Sequence, residues 1–316
     1  MISKPPLPPT RKPLAENLDE EIYLMGATGL EQYLEFVRER AVGGREMDRG
    51  ELSQSWRAAA EVFKEMQASQ AGAADKPPVL PLPASIQSHI DELTTLAHFE
   101  QTFNHVPVAF GMVELDRLVV CQHHIGRASV ERMLTQTPRP VSDQDLARIC
   151  LPLTPPDASF KVAMDDGERF VFISDTHDAR FLGARIVNPA DIANFPVNGH
   201  AQAVIALTVG FTTNVLNVVR YGPRMVLNNG YHRALALRAM GVTHAPCLIQ
   251  VCAHWEDVGL VGGGEMYRNG EPYFSTLRPP MLKDFADPKL TEKFLCRRLT
   301  REINVSYEVD KRQISL

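Results

Sequence analysis

Residues 225–251 constrain the fold most. Met225-Val226-Leu227 reads as a short apolar strand, Asn228-Asn229-Gly230 as a tight turn, and 231–240 as a helix that Gly241 ends. Residues 246–251 read as the next strand. A strand joined to a helix by a glycine turn leaves the helix N-terminus at the strand's end. Such a unit needs a sheet and helices around it. Further β-rich runs lie at 113–120, 160–164, 169–173, 204–209 and 215–220, with Asp165-Asp166-Gly167 as a hairpin turn between the second and third. Helical patterns cover 18–42, broken at Gly26 and Gly29, and 51–69 and 85–103. The expected fold class is α+β, a mixed β core with helices, preceded by a helical N-terminal region.

The domain reading follows composition. Residues 1–14 form a Pro-rich tail, and 15–70 a helical region. Residues 71–84, with Ala71-Gly72-Ala73-Ala74 and Pro81-Leu82-Pro83, read as a linker. Residues 85–253 form the α+β domain with a β-rich insertion over 150–215, and 254–316 an extension that packs on the core. Within these, Ser129 and Ser142 are expected N-caps. A short helix is expected around 291–295 and a strand over 303–309.

The helix that opens at Gly230 carries the chemistry. A helix N-terminus presents backbone N–H groups and a positive partial charge, a natural seat for phosphate or carboxylate. Arg233 in the first turn works against the helix dipole, and a bound anion would offset that cost. His232 is the candidate for proton transfer or phosphate contact. Asn229, Gly230 and Tyr231 complete this wall of a ligand site. Each has a plain alternative: a turn, a cap, or for Arg233 a structural salt bridge. The cluster Ser174-Asp175-Thr176-His177-Asp178 adds Asp175 as a base or Mg2+ ligand, against the alternative of a polar loop. His123 and His124, adjacent on a strand, would point to opposite faces and are poor joint ligands for one metal.

The pattern Gly230-Tyr231-His232-Arg233-Ala234, followed by Met240-Gly241-Val242 and Pro246, resembles the Gly-x-His-Arg box of the ParB/sulfiredoxin-like superfamily. Val113-Glu114-Leu115-Asp116-Arg117-Leu118 with Gln122 is similar to the strand and glutamine that open ParB-like domains. The resemblance covers roughly 105–253. It implies a phosphate-binding pocket beside the helix, with Gln122 and His123 on the opposite wall. Tyr231 stands where sulfiredoxins carry their catalytic cysteine, so sulfiredoxin chemistry is not expected. His123-His124 follows Gln122 where ParB proteins have Pro-Arg, and no helix-turn-helix is evident after 251, so partitioning is not expected either.

The function implied is binding of a nucleotide or other phosphate-bearing small molecule, extending to phosphoryl transfer or nucleotide hydrolysis with Mg2+ and a nucleoside triphosphate. The alternative is a non-catalytic interaction protein that meets a protein partner, or itself, through its N-terminal helices. A DNA-acting nuclease is a third reading. The 33 Lys and Arg against 38 Asp and Glu, a net charge of -5, weigh against DNA as partner. No apolar run reaches the ~18 residues of a membrane span, and no signal-peptide core is visible near Met1. A soluble, cytoplasmic protein is expected. Five scattered cysteines fit neither a disulfide framework nor a zinc site.

Overall fold

A computed structural model describes residues 18–154, 160–165, 169–174, 176, 179–192, 199–211, 213–262 and 264–314. The fold is α+β. In chain order the first elements are β1 (Leu18–Leu24), α1 (Leu30–Arg40), α2 (Arg49–Ser69), β2 (Val79–Leu80), α3 (Gln87–Thr94) and α4 (Ala97–Thr102). Next come β3 (Val108–Glu114), β4 (Val119–Val120), β5 (His124–Gly126), α5 (Arg127–Gln136) and α6 (Asp143–Cys150). The strands β6 (Lys161–Asp165), β7 (Arg169–Ser174), β8 (Ala179–Val187) and β9 (Val204–Phe211) follow. The remainder is β10 (Asn217–Tyr221), β11 (Arg224–Asn229), α7 (Tyr231–Ala239), β12 (His244–Cys252), α8 (Trp255–Val261), α9 (Gly264–Arg268), α10 (Glu271–Phe274), β13 (Thr291–Arg297) and β14 (Arg301–Ser306). Two compact units result. One holds the described residues of 18–154 and 213–298, the other those of 155–212 and 299–314.

The larger unit is built on a six-stranded sheet of order β2-β3-β12-β10-β11-β4. Its central strands are continuous apolar runs because both faces are covered. Val218, Leu227, Val120 and Leu248 point into one core, shared with Val130 of α5, Leu146 of α6 and Leu235 of α7. Val219, Val226 and Val119, one residue along in each strand, point into a second, smaller core with Val258, Met266 and Tyr273. β10 pairs antiparallel with β11 and parallel with β12, so β11 and β12 run antiparallel and α7 joins them at one end of the sheet, past β10. A second sheet, β13-β1-β5, packs against α1 and α2 through Tyr23, Tyr33, Phe36 and Phe294.

The smaller unit carries the sheet β14-β7-β6 and the hairpin β8-β9. The β6–β7 hairpin has the expected register, Lys161 opposite Ile173 through to Asp165 opposite Arg169; its turn at 166–168 lies outside the described residues. Phe160 stacks on Phe211 at 4.6 Å between ring centroids.

Several expectations are corrected. Residues 18–24 form a strand, not a helix, because Ile22 pairs with both Lys293 and Ile125 in a three-stranded sheet. Residues 291–297 are likewise strand β13, the partner of β1. The helix over 85–103 is broken into α3 and α4 at 95–96. Ser129 is not an N-cap: α5 starts after Gly126, and Asp19 Oδ1 accepts the Ala128 N–H at 3.0 Å. Ser142 does cap α6, in a capping box with Asp145. The segment 71–84 is no free linker. Ala74 is fully buried, and Val79 and Leu80 pair with Val113 and Met112. The N-terminal helices are equally part of the larger unit, with Phe63 in the main core. Among the described residues no helix is long and apolar enough to cross a membrane.

Candidate functional site

The site centres on the start of α7. Strand β11 delivers the chain to Gly230, which adopts φ +100°. Left-handed backbone favours glycine, and here packing demands it too: a Cβ would stand 2.6 Å from Leu216 Cδ1. No side chain caps the helix. Gly230 O accepts the Ala234 N–H at 2.8 Å, closing the first turn.

Tyr231 points inward and is 6% exposed. Its hydroxyl donates to Leu227 O and accepts the Cys121 N–H at 3.2 Å, with Cys121 Sγ at 3.0 Å. Burial holds the phenol's pKa well above its ordinary value. The ring therefore ties α7 to the exit of β4, and the expectation that Tyr231 contacts a ligand is corrected. His232 is half-buried against β5, where the absence of a side chain at Gly126 leaves room. A Cβ there would lie 2.8 Å from Asp19 Oδ2 and 3.8 Å from His232 Nε2.

Arg233 is the largest correction. It is 9% exposed, and its guanidinium donates to Asn214 O at 2.6 Å, Asn214 Oδ1 at 2.6 Å and Ile149 O at 3.2 Å. Ile149 lies in the last turn of α6. The unfavourable Arg at the start of one helix is answered by the negative carbonyl end of another. The counter-charge expected from an anion is thus supplied by the fold.

Around this clamp runs a set of carboxamides. Asn229 Nδ2 donates to Asn214 Oδ1 at 3.3 Å. Asn228 Nδ2 donates to Asn217 Oδ1 and to Val261 O, both at 3.0 Å. Gln250 Nε2 donates to Asn217 Oδ1 at 3.2 Å. Asn214, Asn217 and Gln250 were not anticipated. The available signal was an amide set inside an apolar strand, as in Leu216-Asn217-Val218 and Ile249-Gln250-Val251.

The opposite wall is less open than expected. Gln122 Nε2 folds back onto His124 O at 2.7 Å. His123 is buried, its Nε2 3.2 Å from Tyr273 Oη and its ring stacked on that tyrosine. His124 turns the other way, Nδ1 lying 2.6 Å from Glu21 Oε2. His123 thus faces the second core, which corrects its expected role on a ligand wall. Asp175 lies outside the described residues, as do His177 and Asp178. Among the described residues no three His, Cys, Asp or Glu side chains gather as a metal site. The groups about α7 are amides, carbonyls, the His232 imidazole and one carboxylate, Asp19. Comparison with protein-family models, with curated proteins and with solved structures finds no match.

Proposed function

We propose that this chain is a binding protein for a nucleotide or other phosphate-bearing small molecule, held at the N-terminus of α7 in a ParB/sulfiredoxin-like core. The observation that carries the reading is the start of α7 at left-handed Gly230 with no side-chain cap. Such an end favours an anion through its N–H groups and dipole. Half-buried His232, Asn228 and Asn229 border it. His232 and the backbone amides, not Arg233, are the ligand groups in this reading. Phosphoryl transfer or hydrolysis needs a positioned base and charge neutralisation as well, and no step is drawn through Mg2+. The test is a thermal-shift screen of the intact protein against nucleoside mono-, di- and triphosphates and pyrophosphate. A ligand at ~100 times its Kd adds about 2.7 kcal/mol. A shift that His232→Ala removes supports the reading; no shift with any phosphate compound sinks it.

A second reading, a non-catalytic interaction protein, is favoured by the commitment of Tyr231 and Arg233 to internal bonds. It does not use the apolar faces of the N-terminal helices, since Tyr33, Phe36, Val37 and Phe63 are buried within the chain. A folded protein that shifts with no phosphate compound and pulls down a saturable partner would favour it.

A further inference from the structure

We propose that the larger unit carries a separate binding site for a small organic anion, an acidic head on an apolar body, in the cavity between the Lys76 turn and the β10–β11 hairpin. The cavity has a volume of about 570 Å3 and is lined by Lys76, Val79, Arg220, Met225, Val251 and Cys252, with the prolines of the two turns. That volume lies within the ~300–1,000 Å3 of small-molecule sites. It sits at the far end of the sheet from α7. Tyr221 pairs with Arg224 here, whereas Asn217 pairs with Asn229 beside Gly230. Four residues of strand separate the two places by roughly 13 Å.

Charge argues for an anion. The lining holds two cations and no carboxylate. Among the described residues neither Lys76 nor Arg220 has an acidic partner, although most other buried or half-buried arginines of the unit do. The acids nearby are already engaged. Asp75 binds Arg224 Nε at 2.9 Å. Asp257 accepts the N–H groups of Ala253 and His254, both at 2.9 Å. Lys76 is exposed and Arg220 half-buried, so both charges are open to an anion. Arg220 offers a planar fork for a carboxylate or phosphate, and Lys76 a mobile point charge.

Backbone geometry supports the same place. Lys76 is the one residue other than glycine with positive φ among the described residues, at +49°. Its N–H is held by Pro223 O at 2.5 Å, which fixes the turn to the hairpin. A residue with a Cβ is disfavoured in that conformation, and Asn or Gly would be the ordinary choice. Val79 and Val251 supply the apolar part of the lining, above Met225 of the main core, and set the second half of the ligand, a short hydrocarbon body.

The test is isothermal titration of the intact protein with octanoate, octyl phosphate, octanol and inorganic phosphate. Either octyl anion should bind about tenfold or more tightly than octanol and than inorganic phosphate, a factor expected for a charge-assisted head group and a buried chain. The tighter of octanoate and octyl phosphate identifies the head. Lys76→Asn, which suits the left-handed backbone and keeps the fold, should weaken that binding about fivefold or more with the melting temperature unchanged, and Arg220→Gln likewise. His232→Ala should leave it unaltered, which separates this site from the one at α7. Octanol binding as tightly as the anions, unchanged affinity in both charge variants, or no binding of either octyl anion at millimolar concentration would overturn the proposal.

Discussion

Replacing Arg233 by alanine separates a fold clamp from a ligand group. The guanidinium supplies three hydrogen bonds from a charged donor, to Asn214 O, Asn214 Oδ1 and Ile149 O, in a 9% exposed setting. Bonds to charged groups contribute about 1.5–3 kcal/mol each, but water recovers part of the loss once the side chain is gone. Loss of the guanidinium leaves three part-buried oxygens short of a donor, at about 1–3 kcal/mol each before relaxation and water recover part of it, about 2–4 kcal/mol in all. The larger unit has roughly 230 residues, a size at which each kcal/mol lowers Tm by ~2–4 °C. Arg233→Ala should therefore lower Tm by roughly 4–16 °C. Trp56 and Trp255 both lie in this unit, so tryptophan fluorescence follows its melting without interference from the other. Arg233→Lys keeps the charge but not the fork and should recover less than half of the loss. An Arg233→Ala protein that melts within about 2 °C of the parent would refute the clamp. If it also lost phosphate binding, the guanidinium would be a ligand group after all.

Three further outcomes follow from the same structure. Gly230→Ala meets both a left-handed φ and Leu216 Cδ1 at 2.6 Å; it should cost about 2–4 kcal/mol in urea unfolding. Arg278 and Asp284 form a fully buried pair, 0% and 1% exposed, joined by two bonds of 2.6 and 2.5 Å. Arg278→Met leaves Asp284 buried without its cation, and a loss of about 3–5 kcal/mol is expected by the same assay. Burial pushes the Cys150 thiol from 9.0 up to about 12. Between those values the folded state keeps a proton that the unfolded state has released, so stability falls as pH rises through the window and is unaffected below it. Urea midpoints measured from pH 8 to 10.5 should decline above pH 9, less steeply in Cys150→Ala, and iodoacetamide at pH 8 should label Cys150 only in denaturant.

Elements set by neighbours in sequence were legible, and those set by distant partners were not. Helix α2 announces itself by apolar spacing through Trp56, Ala60 and Phe63, and Ser142 with Asp145 is a local cap. The strand–glycine–helix–strand unit at 225–251 depends on a turn that only glycine makes. By contrast, Leu18–Leu24 contains Asp19-Glu20-Glu21, which fits an exposed helix face as well as a strand. Its pairing with β13, across more than 260 residues, decides the matter. The same pairing turns Thr291–Arg297 into a strand. Pro and Gly at 71–84 speak for a linker, yet Arg117 binds Ala73 O and Asp75 O, and Arg224 binds Asp75, fastening the segment to the sheet.

The Gly-Tyr-His-Arg box shows why a motif fixes local geometry more readily than it assigns side-chain roles. Residue types within the box fix local geometry: Gly230 turns the chain and Tyr231 to Arg233 make the first helical turn. What each side chain meets depends on segments that the motif does not contain. Cys121 receives Tyr231, Leu216 closes over Gly230, and Asn214 with Ile149 receives Arg233. The last of these has an electrostatic consequence. Arg233 meets the carbonyl end of α6, so much of that cation's field is answered before any ligand arrives. An anion at α7 would therefore gain from the first-turn amides and His232 but little from Arg233. Its binding should depend only weakly on salt, since the principal cation is already compensated. Among the described residues Lys76 and Arg220 have no acidic partner, and an anion seated between them should dissociate steeply as ionic strength rises. A pair of titrations at low and high salt thus distinguishes the two ends of the sheet by the electrostatics that the fold has imposed on each.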